Sequence, residues 1–353
     1  MNRLEECIYK VNKVRAMLRE TGHGGIIIRK QANFSWITAG GRAFIGLASE
    51  ASCAAIVVTS DGVYLAGNNI EVPRLLAEEL PRDFVEPVTL PWRDDGTMDT
   101  ALKQRFGQLS SDTEQDEWFR ENRVLLVESE AERYAKLGKV SAEALEECCA
   151  ALKPGMTELE AAGRISERLW AAGIEPITLL VAADNRGERV RHYVPTGEKI
   201  NDGVICSICA RSGGLIASAT RITAFKKDFA RRYEALLKVE QAAFAATVPG
   251  ATLGDVFQAI IDAYAQNGLS GEWENHHQGG LTAYLAREIR VEPGCRKTVR
   301  SGEAFAWNPS AVGAKCEDTV FLGDQGLSVL TEVSRHWPSV TAGSLRRPDI
   351  LHP

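Results

Sequence analysis

The side chains best suited to chemistry fall in three short segments: RHYVPTG around His192, HHQGG around His276 and His277, and CEDTVFL around Glu317 and Asp318. An imidazole titrates near pH ~6.5 and so suits proton transfer at neutral pH. Arg191, Glu188 and Arg221 are available to tune His192 or to bind a carboxylate. In HHQGGLTAYLARE the paired glycines Gly279 and Gly280 permit close backbone approach, while His276, His277, Gln278 and Tyr284 supply polar tips for a cavity. Trp307 beside Asn308 offers an aromatic wall for a flat or cationic group. Each has a plainer reading: the histidines satisfy buried backbone groups, Trp307 is core, and Glu317 or Asp318 forms a structural ion pair with Arg221.

The elements that must position these residues are readable from pattern. An opening helix over about 4–22 leads into GGIIIRK, NFSWIT and CAAIVVTSDGVYLAG, with Ser60-Asp61-Gly62 as a turn, which predicts an α/β domain. A polar stretch from Pro91 to about Trp118 is followed by a predicted strand, RVLLVES, and a long helix from near Glu130. The domain boundary is expected near residue 128, giving domains 1–128 and 129–345 and a tail 346–353. The second domain carries an internal repeat: Pro154-Gly155-Met156-Thr157 opens a helix ending near Gly173, and Pro249-Gly250-Ala251-Thr252 opens one ending near Gly268, with the same 18-residue separation of glycines. Thr157 with Glu160 predicts a capping box. A helix precedes each unit, over about 130–152 and about 228–247, so two helix–helix–strand halves can enclose a central site.

Size and composition bound the rest. The 353 residues call for two domains, and 44% hydrophobic with 25% charged residues is an ordinary globular balance. A net charge of -6 without a basic run argues against nucleic-acid binding, and no apolar stretch reaches the roughly 20 residues of a membrane span. The start, MNRLEECIYK, lacks the apolar region of a secretory signal, so a cytoplasmic protein is expected. The eight cysteines lack scaffold spacing and read as free thiols, the Cys206–Cys209 pair lying in a buried-strand pattern, VICSICA.

The order of the repeat, RHYVPTGEKINDG, ATRIT, HHQGG and CEDTVFL resembles the pita-bread family of creatinase, prolidase and methionine aminopeptidase over nearly the whole chain. NFSWITAGG resembles a segment of the prolidase and creatinase amino-terminal domain. The resemblance implies a smaller α/β domain followed by a pita-bread domain with an internal pseudo-two-fold. It also implies two divalent ions held by two aspartates, a histidine and two glutamates. In this sequence those positions are Ser207, Ser218, His277, Asn308 and Glu317, so two of five ligands remain. No Asp, Glu or His lies between Ile205 and Lys226 to substitute. No metal and no other cofactor is therefore expected, with a single weak ion at His277 and Glu317 as the residual case. Ser207 or Ser218 would act as a nucleophile only with a base in reach; small-for-charged replacement is the simpler reading.

His192 matches the family histidine beside the substrate, which in metal-free creatinase is the acid/base. The resemblance thus implies a metal-independent hydrolase or lyase acting on a small amino-acid, amide or guanidino compound, with His192, His277 and Glu317 catalytic. The substrate contacts would be Arg191, Arg221, His276, Gln278, Tyr284, Trp307 and Asn308. Creatinase keeps the glutamate that is Asn308 here, so creatine itself is not implied. Two alternatives stand: a non-catalytic binding protein like the peptidase-like domain of the histone chaperone FACT, and a surviving Xaa-Pro aminopeptidase or dipeptidase. The expected partners are a small-molecule ligand and a second copy of the chain. Arg42 and Phe44 are candidate cross-subunit contacts.

Overall fold

A computed structural model describes residues 1–343 and 345–353 and divides the chain into two units, Met1–Arg123 with Glu128–Glu130, and Val124–Val127 with Ala131–Pro353. Among the described residues no helix is long and apolar enough to cross a membrane.

The first unit holds helices α1 (Arg3–Thr21), α2 (Gln31–Ile37), α3 (Glu71–Arg74), α4 (Met98–Phe106) and α5 (Asp116–Arg123). Its strands are β1 (Gly25–Lys30), β2 (Ala51–Thr59), β3 (Val63–Asn68), β4 (Glu86–Leu90) and β5 (Ser110–Ser111), ordered β4-β3-β2-β1-β5. Asn2 caps α1 in a capping box with Glu5, and Gly22 ends it with a left-handed turn. The β2–β3 hairpin is antiparallel, as the alternating apolar runs on either side of Ser60-Asp61-Gly62 require. NFSWI is helical and wholly buried, with Trp36 packed edge-on against Trp118 and Phe119. The segment RVLLVES forms no strand. Arg123 instead closes α5, whose amphipathic DEWFRENR pattern runs up to it, and the chain turns at 124–127 before the long helix α6 (Glu128–Ala150). Arg42 is ion-paired with Glu79 at 2.8 Å.

The second unit contains α6 from Ala131 onward, α7 (Glu158–Ala171), α8 (Arg186–Arg189), α9 (Tyr233–Ala246) and α10 (Leu253–Gln266). An antiparallel sheet joins β6 (Glu175–Ala183), β7 (Gly203–Ser212) and β8 (Leu215–Ala224). A second sheet is formed by β9 (Gly279–Thr282), β10 (Ile289–Arg290), β11 (Glu303–Trp307), β14 (Asp318–Gly323) and β15 (Gly326–Val329), in the order β10-β9-β11-β14-β15. Two short ribbons, β12 (Ser310–Ala311) with β13 (Ala314–Lys315) and β16 (Ser339–Ala342) with β17 (Leu345–Pro348), complete it.

The repeat is physical. Thr157 and Thr252 cap α7 and α10 with reciprocal boxes, to Glu160 and Asp255. Gly155 and Gly250 both take positive φ, of 92° and 91°, and each donates its N–H to a residue of the downstream segment, Ile200 or Val299. Residues 346–348 lie in β17, and Leu351 bridges to Thr223 of β8, so the last residues are built into this unit and form no detached tail. The core runs through Leu236, Val239, Phe257, Ile260, Phe305 and Val320.

Candidate functional site

The β7–β8 register sets Ser207 opposite Thr220 and Cys209 opposite Ser218, so these four side chains share one face of the hairpin. Ser207 Oγ lies 2.7 Å from Thr220 Oγ1, and the Thr220 hydroxyl donates to Glu317 at 3.3 Å. The N–H of Ser218 donates to Thr319 Oγ1 at 2.8 Å and its carbonyl accepts from the same hydroxyl at 3.0 Å, which fastens β8 to β14 and brings Glu317 over the serines. The Ser218 hydroxyl itself meets Cys209 Sγ and Arg287 at 3.4 and 3.5 Å. Among the described residues neither serine has a histidine as hydrogen-bond partner.

Glu317 is enclosed and held by two cations, Lys315 Nζ at 2.7 Å and Arg287 Nη2 at 2.7 Å. Burial alone would push its carboxyl up; the Lys315 ammonium and the Arg287 guanidinium outweigh that and bring it down to about 2. Lys315 is raised in turn, Glu317 overcoming the effect of burial. Glu317 is thus an anion held between two cations. Lys315 escaped the sequence reading. Its signal was there: it stands two residues before Glu317 in strand-like sequence, where alternate residues share a face.

Three histidines gather beside this ion cluster. His192 lies on the loop between α8 and β7, and that loop is pinned at several points. Arg191 is ion-paired with Glu272 at 2.7 Å, Val181 donates its N–H to the Tyr193 carbonyl at 3.0 Å, and Thr196 donates both N–H and hydroxyl to buried Glu158 at 2.8 Å. Of the three, His192 is the one exposed to solvent. Its Nε2 faces His276 Nε2 at 3.2 Å, while His276 Nδ1 lies 3.1 Å from Ser310 Oγ. The rings of His276 and His277 are 4.4 Å apart, and one nitrogen from each of the three rings can be chosen so that all lie within 4.8 Å. Burial first, then the Lys315 ammonium, holds His276 at about 2; burial, then Arg287, holds His277 at about 3. His192 is lowered too, by burial and then Lys315. All three are neutral at pH 7, each with one N–H and one lone pair.

Several expected substrate contacts belong to the scaffold instead. Gln278 is fully buried, accepting from the Tyr264 hydroxyl at 2.7 Å and donating to the carbonyls of Trp273 and His276, so it fixes the His276 backbone. Arg221 is 1% exposed and bonds Glu146 at 2.7 Å, Asp318 at 3.1 Å and the Thr331 carbonyl at 2.9 Å. Of the two adjacent acids Glu317 and Asp318, it is Asp318 that joins Glu146 in pairing with Arg221, while Glu317 pairs elsewhere. Trp307 is wholly enclosed and stacks on Phe305 within the core. Tyr284 is buried, and its N–H donates to Glu288 at 3.1 Å. Asn308 is buried and its backbone N–H donates to the Gln278 carbonyl at 3.0 Å, while its side-chain Oδ1 finds no partner among the described residues. Arg191 is spent on Glu272. Gly279 and Gly280 do serve close approach: their φ values are 109° and 144°, and added Cβ atoms would run into the carbonyls of Ala306 and Ile289.

A profile of metallopeptidase family M24 matches residues 132–324, more than half of the chain. The chain belongs to family M24. A candidate dipeptidase of Bacillus subtilis, YkvY, is 23% identical over 62% of this chain and 63% of its own length, so the chain spans less than two thirds of that relative. Two solved structures share the fold: a prolidase from Pyrococcus horikoshii (TM-score 0.75, 18% identity, 93% of this chain and 99% of that one), and the N-terminal domain of the FACT subunit SPT16 from chickpea (TM-score 0.67, 13% identity, 94% and 96%). The M24 name implies metal, and the donor set present does not fit a dinuclear centre. Two dications ~3.5–4 Å apart repel by roughly 18 kcal/mol at an effective dielectric of ~20. Against that repulsion, the serine hydroxyls bond each other's neighbours, and the one carboxylate already carries the Lys315 and Arg287 cations.

Proposed function

We propose that this M24 member is a peptidase-like hydrolase that works without a dinuclear centre on a small amino-acid-derived amide or guanidino compound, with His192 as acid and base. The observation that carries the reading is the His192–His276–Ser310 chain, in which an exposed neutral imidazole is backed at 3.2 Å by a buried one that is itself anchored at 3.1 Å. His192 takes a proton from the attacking water as its oxygen bonds the carbonyl or amidine carbon. It returns that proton to the leaving nitrogen as the C–N bond breaks. His276, held neutral, shares a hydrogen with His192 and keeps the ring aimed.

The test is a panel of dipeptides, Xaa-Pro compounds, small amides and guanidino acids incubated with chelator-treated protein, with products read by mass spectrometry. Turnover in chelator, lowered about 10²-fold or more by His192→Ala, is expected. Turnover that appears only on adding manganese or cobalt would return the Xaa-Pro metallopeptidase reading that the names of the relatives suggest.

One feature favours a second reading, a ligand-binding pseudo-peptidase. Glu317, Lys315, Arg287 and Arg191 are all ion-paired within the protein, and His192 is the exposed ring of the histidine cluster. Saturable binding without product would support it. We also propose a homodimer, supported by likeness to two-domain relatives, with light scattering of the purified chain as its check.

A further inference from the structure

The geometry points to a mononuclear transition-metal site formed by the imidazoles of His192, His276 and His277. It shares His277 with the dinuclear centre that the family name implies and differs from it in the other ligands and in the number of ions. One nitrogen from each ring can be chosen so that all three lie within 4.8 Å of one another. Two of these are closer still, His192 Nε2 and His276 Nε2 at 3.2 Å. In a tetrahedral site with metal–nitrogen bonds of ~2.0–2.1 Å, adjacent ligand nitrogens stand about 3.3–3.4 Å apart. That pair already has the separation of one tetrahedral edge, and a modest rotation of rings closes the third corner.

The outer contacts are those a ligating imidazole needs. Ser310 Oγ lies 3.1 Å from His276 Nδ1, and Ser310 is itself held through its N–H, which donates to the Tyr264 hydroxyl at 2.8 Å. A proton on Nδ1 directed at Ser310 leaves the Nε2 lone pair turned toward His192, which is the tautomer a metal takes up. His277 brings a second signal: its Nδ1 is enclosed without a hydrogen-bond partner among the described residues, a cost that ligation relieves when that nitrogen turns to the ion. His192, the solvent-exposed ring of the three, marks the side from which an ion enters.

The donor set selects the class of ion. Three imidazoles and no carboxylate suit zinc, cobalt, nickel or copper and not magnesium, calcium or manganese, which want oxygen. The surrounding charge comes from Lys315 and Arg287, both on Glu317, and from Arg191 on Glu272. Their sum stays positive, which lowers affinity for the ion and favours an anion or hydroxide in the fourth position. A His192 lone pair given to a metal is withdrawn from proton transfer. On the reading proposed above, the ion is therefore an inhibitor of the site, although binding itself does not depend on that reading.

The experiment loads chelator-stripped protein with cobalt(II) chloride, removes free ion, and measures metal per chain together with the visible d–d spectrum. About one ion per chain with the intense bands of four-coordinate cobalt is expected, with manganese not retained. His192→Gln, His276→Gln and His277→Gln should each lower retention about tenfold or more, and Ser310→Ala should weaken binding about 10–100-fold. His192 is exposed, so its variant folds and keeps the test valid even if a buried one does not. No retained cobalt, two ions per chain, or retention unchanged in His192→Gln would overturn the site; the last would place the ion at His277 with Glu317. Metal retention is read without turnover, so an inactive protein leaves this outcome intact.

Discussion

Lys315 places its ammonium 2.7 Å from the carboxylate of Glu317, two residues along the chain, and both side chains are shut away from water. Removing Lys315 leaves the buried Glu317 carboxylate with Arg287 as its remaining cation, at a cost of up to about 3 kcal/mol. Lys315→Met should therefore lower the denaturant midpoint markedly even though it adds no bulk. Lys315→Met with Glu317→Gln should lose less than the sum of the two single changes, because both remove the same Lys315–Glu317 contact and the double variant leaves Arg287 as the one cation without that carboxylate. Strict additivity in that cycle would show that the pair is not coupled.

How far the sequence could be read follows from which forces decide each feature. The capped helices after Thr157 and Thr252 were legible because capping and left-handed glycines are local. The clustering of His192 with His276 and His277 was legible only through resemblance, since 84 residues separate His192 from His276. What remained hidden was pairing. The Lys315–Glu317 pair was within reach of the sequence, but that Asp318 takes Arg221 while Glu317 takes Arg287 was not, because those partners come from segments distant in the chain. Trp307 and Gln278 looked like pocket residues for the same reason: residue type suggests chemistry, while burial is set by the whole unit. RVLLVES failed as a strand because α5 claims Arg123, an outcome that an apolar run alone does not reveal.

The neutral histidines make the fold sensitive to mild acid. His276 is held at about 2 inside the protein and returns to about 6.5 when unfolded, so only the unfolded chain takes up its proton between those values. Its contribution is complete above pH ~6.5 and is lost as pH falls toward 2, at about 1.4 kcal/mol per pH unit. His277 adds a loss of the same sign. Glu317, depressed to about 2, also destabilises in acid, but only once pH drops below about 4.5. Urea midpoints should therefore fall between pH 6.5 and 5, and His276→Gln should flatten that slope. An unchanged slope would mean that His276 titrates normally in the fold.

Each half of the repeat is started by one threonine hydroxyl. Thr157 Oγ1 accepts from the Glu160 N–H at 3.2 Å and Thr252 Oγ1 from the Asp255 N–H at 3.1 Å. Thr157→Ala and Thr252→Ala should each destabilise by about 1 kcal/mol, and the double variant by about 2, because the caps share no partner. Replacing either by Ser or Asp should recover most of the loss. Equilibrium unfolding in urea reads both effects.

Gly280 lies on β9 at φ 144°, opposite Ala306 of β11 and Arg290 of β10, so it is flanked by strands on both sides. A Cβ there would run into the Ile289 carbonyl and press on Val291, and neither backbone can retreat without breaking its ladder. Gly280→Ala should cost about 3 kcal/mol or more, well above the ~1 kcal/mol by which glycine and alanine differ in ordinary backbone. The damage should extend past stability, because β9 runs directly on from His276 and His277. If the histidine cluster depends on this close approach, Gly280→Ala should also diminish cobalt retention, in protein that still shows a cooperative unfolding transition. Gly326→Ala, at φ 98° in the β14–β15 hairpin with open space around its Cβ, supplies the control: strain of backbone alone, remote from the histidines, with metal retention unchanged.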